Sequence, residues 1–232
     1  MKLIVYQIKV LFSPVKWLLT GAFIVFIPFM FYAPTAVDIL NLYEIYAPFA
    51  GIILFPDLIW VDHYTRAAEV LATRRSRRHP LLAYRLMVMI LFMIFMLLAG
   101  WLLLRMNLSP HGFRFSSEQL PFSGLLYVAL PGLLFSGALS LLAGAVLRSP
   151  EIGYLLGLAN WMYWNINMEN TSWLNLFSYA NRLSDLQSKC TLSLLSIVFI
   201  SLCGFVMLRP VEQYKLISRL KDGLMKGLDR LL

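Results

Sequence analysis

Residues 62–79 hold the densest chemistry in this chain. Arg66, Arg74, Arg75, Arg77 and Arg78 place five guanidinium groups within thirteen residues, together with Glu69, Thr73 and Ser76. Guanidinium forks pair well with carboxylates and phosphates. The same run contains Ala67, Ala68, Leu71 and Ala72, all good helix formers, and Pro80 ends it. The spacing predicts a short basic helix suited to an acidic surface on a partner, with Glu69 and Leu71 able to seat in a groove.

Other reactive groups are sparse. The sequence has no GxxxxGK[ST] phosphate loop, no HExxH and no Cys/His cluster, so neither an ATP site of that kind nor a metal centre is expected. His63, His79 and His111 fall in loops. Ser136, beside Gly137, has no histidine at membrane depth to activate it, so no catalytic residue is expected. It reads instead as a close-packing position with Gly132, Gly137 and Gly144. Cys190 and Cys203 lie on one apolar run, about 20 Å apart along a helix, too far to bridge. Asp57 is the one acid expected near membrane depth, and so a candidate intramembrane polar site. Its place near the end of an apolar segment equally fits an interfacial acid paired with Arg66 or Arg85.

The elements that position these groups are apolar. Of 232 residues, 59% are hydrophobic and 14% charged, against about 25% charged in soluble domains. The expected fold is an all-α membrane protein with a single transmembrane domain over 1–232. Residues 1–16 are amphipathic, with Lys2, Lys9, Ser13 and Lys16 on one face, as in a helix lying in the membrane interface. Lysines spread through this segment argue against a cleavable signal. Six spans are expected at 17–33, 45–61, 86–104, within 119–147, at 152–168 and at 190–208, making 17–208 a six-span bundle. Residues 169–189 carry Trp173, Leu176 and Phe177, which need shielding by lipid or protein, so this outer segment should dip back into the outer leaflet in a re-entrant manner or cap the bundle. Trp161, Tyr163 and Trp164 read as an aromatic belt. Residues 209–232 are expected to form a cytoplasmic amphipathic tail that rests on anionic lipid or packs against a partner.

Topology follows from the basic residues. With the N-terminus inside, sixteen lysines and arginines fall on the cytoplasmic side and four, Arg105, Arg114, Arg182 and Lys189, outside. Both termini are then cytoplasmic in a bacterial cell membrane. The net charge of +8 arises from this asymmetry, and no nucleic-acid partner is expected.

This layout resembles the membrane (permease) subunit of an ABC-type exporter of the second exporter class, whose members move drugs, peptides, lipids and polysaccharides. In that family the loop after span two reads as Arg, a Gly-Thr pair, Glu, a Leu two residues on, a small residue, and Ser-Arg before span three. Arg66, Glu69, Leu71, Thr73, Ser76 and Arg77 fall in matching places. Ala67-Ala68 departs from the Gly-Thr pair, and Arg74-Arg75 replaces a proline-containing turn. The resemblance implies that residues 62–79 are a coupling helix docking on separate cytoplasmic ATPase subunits, which bind ATP and Mg. It also implies a second permease chain, identical or related, and a pathway for an apolar or amphipathic cargo such as a peptide, antibiotic or lipid. The competing reading is a membrane sensor or immunity protein that binds a peptide or lipid without moving it. A lipid-modifying enzyme would need polar groups converging at the interface, and the sequence offers only Asp57.

Overall fold

The computed structural model describes residues 14–64, 78–106, 119–180 and 185–208. The interfacial segment before Pro14, the basic run 65–77 and the tail 209–232 lie outside these residues. The described residues form seven helices: α1 (Pro14–Met30), α2 (Ala36–Leu54), α3 (Asp57–Tyr64), α4 (Arg78–Arg105), α5 (Phe122–Leu147), α6 (Pro150–Ile166) and α7 (Asp185–Leu208). No strand occurs among the described residues. Four stretches, Ala36–Trp60, Leu82–Arg105, Phe122–Leu147 and Leu186–Val206, are long and apolar enough to cross a membrane, and Val15–Met30 is a shorter apolar helix. This is a helical membrane protein.

Local sequence explains the boundaries. Proline opens α1 and α6 at their first positions, where a missing N–H costs nothing. Helix α2 begins nine residues before the expected start of span two. Thr35 and Asp38 form a capping box there: the Thr35 Oγ1 accepts from the Asp38 amide at 3.2 Å, and the Asp38 carboxylate accepts from the Thr35 amide at 3.0 Å. Helix α4 starts at Arg78, with Pro80 in its first turn rather than ahead of it. Helix α5 ends at Arg148, whose φ of 56° makes the left-handed cap, and its amide bonds the Gly144 carbonyl. Ser149 then caps α6 by accepting from the Ile152 amide, so two residues reverse the chain. Helix α7 starts at Asp185, five residues ahead of the expected span six.

Long-range contacts fix the helix directions. Lys16 at the start of α1 reaches Asp57 beyond the end of α2, and Tyr154 early in α6 reaches the same carboxylate. Arg85 early in α4 donates to the Leu58 carbonyl. These groups share one end of the bundle. At the other end the Trp101 indole, late in α4, donates to the Leu120 carbonyl just before α5. Lys189, early in α7, donates to the Val128 carbonyl early in α5. Successive long helices therefore run antiparallel.

Helices α2 and α5 form the centre, each with 67% of its apolar window buried; α4 and α7 are peripheral at 28% and 22%. Small residues let the central helices touch. A methyl on Gly51 would collide with the Leu133 carbonyl of α5, and Gly137 of α5 lies under the Phe55 ring. Gly153 of α6 lies against the Ser140 carbonyl and Gly144, and Gly157 against the Ser140 hydroxyl. The expected role of Gly137 and Gly144 thus holds. Large apolar side chains such as Phe26, Leu91, Phe95, Leu155, Ile197 and Phe205 face outward around the bundle, as lipid contact requires.

Candidate functional site

Polar groups gather in two clusters, one at each end of the bundle. The first centres on Glu44, in the middle of α2 and 1% exposed. Its Oε1 pairs with the ammonium of Lys189, itself 2% exposed, and accepts from the Tyr179 amide at 3.0 Å. Its Oε2 accepts from the Ala180 amide at 2.8 Å. Lys189 also donates to the Val128 carbonyl at 3.1 Å. One carboxylate thus joins α2, α7 and the segment between α6 and α7, and its cation ties in α5.

Backbone physics accounts for this cluster. Residues 170–180 are not helical, so their amides at depth in the bundle need other acceptors. Asn175 supplies some: its Oδ1 accepts from the Phe177 amide, and its Nδ2 donates to the Met168 and Asn170 carbonyls. Glu44 supplies the next two. Leu176 and Phe177 are wholly buried, packed with Phe135, Trp164 and Leu192. These two residues of the segment are therefore shielded by the bundle. Trp173, 62% exposed, is not covered by the protein. The aromatic belt is corrected. Trp164 is buried and the Trp161 indole donates to the Ile45 carbonyl at 2.7 Å, leaving Tyr163 to face outward.

The second cluster centres on Asp57. Its Oδ2 accepts from Lys16 at 2.9 Å and its Oδ1 from the Tyr154 hydroxyl at 2.6 Å, while Lys16 also donates to the Tyr154 oxygen at 3.1 Å. The three side chains close a ring joining α1, α3 and α6. Among the described residues Asp57 thus pairs with Lys16 and Tyr154 rather than with Arg85. Arg66 lies outside the described residues, and Arg85 is turned to the Leu58 carbonyl at 2.8 Å. Glu44, 1% exposed, is the more deeply buried of the two acids, and the sequence reading did not single it out.

Of the other sequence-derived site residues, Arg66, Glu69, Leu71, Thr73, Arg74, Arg75, Ser76 and Arg77 lie outside the described residues, and Arg78 is the first residue of α4. What is described is their setting. Helix α3 leads into the run and α4 leads out, and both are anchored at the Asp57 end.

Glu44 and Lys189 went unrecognised because each lies just outside the span limits that hydropathy suggests. The signal that could have found Glu44 is Thr35-Ala-Val-Asp38, a capping box that starts the helix early. No cluster of three or more His, Cys, Asp or Glu able to hold a metal occurs among the described residues. Comparison with protein-family models, curated proteins and solved structures gives no match to this chain.

Proposed function

We propose that this chain is the permease subunit of an ATP-driven exporter, coupled through residues 62–79 to a separate cytoplasmic ATPase. One observation carries the reading: the arginine-rich run is bracketed by two helices locked to the same bundle end. Asp57 at the head of α3 is held by Lys16 and Tyr154, and Arg85 of α4 is held by Leu58. Force applied to such a run reaches α1, α4 and α6 directly. A loop serving only topology would need neither the clamps nor five arginines.

In this reading α1, the α2–α3 pair, α4, α5, α6 and α7 are six crossings. The two 17-residue helices α1 and α6 reach about 25 Å, short of the roughly 30 Å hydrocarbon core, and the bilayer thins or flanking residues reach the interface. The Asp57 end faces the cytoplasm with both termini, and the Glu44 end faces out, in a bacterial cell membrane. ATP and Mg belong to the ATPase, and a second permease chain completes the pathway. Glu44 and Lys189 neutralise each other, so the charge at depth does not argue against an apolar or amphipathic cargo. The test is purification of the tagged chain in mild detergent. An ATP-hydrolysing subunit should come with it; a stable lone chain would support a sensor or immunity protein instead.

A further inference from the structure

We propose that residues 176–180 form a strap that closes the Glu44 end of the bundle between α2, α5 and α7, and that Glu44 is its catch. The strap is a preassembled unit. Asn175 holds the turn that leads into it through bonds to Met168, Asn170 and Phe177, all within the connection that follows α6. Its grip on the bundle is of a different kind. The amides of Tyr179 and Ala180 both end on the Glu44 carboxylate, and Leu176 rests over Gly132 of α5, where an added methyl would lie 3.4 Å from its Cδ1. Gly132 also faces Pro48 of α2, so Leu176 sits over the contact between the two central helices.

One side chain therefore holds donors from two other elements: the strap through two amides, and α7 through Lys189. The strap lifts when Glu44 lets go, and its Asn175 turn survives because none of its bonds involve Glu44. Removing the charge weakens three donor interactions at once. The closed state should therefore lose at least about tenfold in population relative to the open one. The inference rests on the chain being a membrane bundle and not on an ATPase partner, so its failure is distinct from a failed co-purification.

The test uses the full chain in lipid nanodiscs, in a Cys190→Ser, Cys203→Ser background, and measures labelling by a water-soluble maleimide. Ser178→Cys reports on the strap, where Ser178 is 1% exposed; Ser136→Cys reports on the core of α5; Trp173→Cys is the exposed reference. With Glu44 in place, Ser178→Cys should label much more slowly than Trp173→Cys. With the double change Glu44→Gln, Lys189→Met, which removes the catch without stranding a buried charge, it should label at least about tenfold faster, with Ser136→Cys and Trp173→Cys unchanged. Glu44→Asp keeps the charge but shortens the reach, and should give a smaller rise. If the double variant does not assemble, the Glu44→Asp rise alone decides. An unchanged rate at position 178 overturns the proposal. So does a parallel rise at position 136, which would mean that the whole bundle has loosened.

Discussion

Replacing Gly153 with alanine adds one methyl group where α6 crosses α5. That methyl carbon would lie 2.5 Å from the Ser140 carbonyl oxygen and 3.3 Å from the backbone of Gly144. A carbon–oxygen contact relaxes at about 3.3–3.6 Å, so the two helices must separate by close to an ångström. The obstacle is backbone on a central helix and cannot swing aside. Overpacking of this kind costs about 1–3 kcal/mol, while exchanging glycine for alanine inside a helix returns about 0.5–1 kcal/mol. Taken at mid-range, the net loss is about 1 kcal/mol, or a fall of roughly 2–4 °C in Tm for a chain of this size. Gly144→Ala is the matched control from the same interface. Its methyl would meet its nearest neighbour, the Ser149 carbonyl, at 3.4 Å, so only the helix gain remains and Tm should hold or rise slightly. The assay is thermal unfolding of the purified protein in detergent, followed by the monodisperse fraction on size exclusion. Equal shifts in the two variants, or a Gly153→Ala protein as stable as the parent, would refute the close crossing of α5 and α6.

The sequence made the apolar helices legible because their periodless hydrophobicity depends on no partner. It also made the packing glycines legible, since small residues in an apolar run have few other uses. Polar pairing was not legible. Hydropathy prices Glu44 as an isolated charge and pushes it to a loop, whereas the structure sets it against Lys189, 145 residues away. The same blindness assigned Asp57 a nearby arginine. Its partners are Lys16 and Tyr154, 41 and 97 residues distant, brought in only by the antiparallel order of the helices. Trp173 was expected to be shielded on side-chain type alone. In the fold the two residues that fit against Gly132 and Trp161 are Leu176 and Phe177, and Trp173 is left at the tip.

Lys189→Met should destabilise the fold by about 3–5 kcal/mol, since it strands a buried carboxylate; the double variant with Glu44→Gln should lose less than Lys189→Met alone, as read by unfolding in detergent. Asp57→Asn should cost no more than about 1 kcal/mol, because Lys16 is 44% exposed and such pairs are screened; a larger fall in Tm would mean that the ring with Tyr154 carries more than an interfacial ion pair. Cys190 is exposed and Cys203 buried, so a membrane-permeant maleimide should modify the first in the folded protein and the second only after unfolding, with mass spectrometry showing no disulfide.

The coupling claim rests on Glu69 and Leu71, and changing both tests it most directly. Glu69→Ala with Leu71→Ala leaves all five arginines of the run in place, so orientation in the membrane should be preserved. Losing a charged contact at a docked interface costs about 2–5 kcal/mol, enough to lower ATPase occupancy severalfold or more at limiting concentration. The measurement is the ratio of ATPase subunit to tagged chain after one-step purification, with a reporter on the C-terminus to check orientation. The expected result is an unchanged reporter signal and a collapsed ratio. A ratio equal to that of the parent chain, with orientation intact, would contradict the assignment of residues 62–79 as the coupling element.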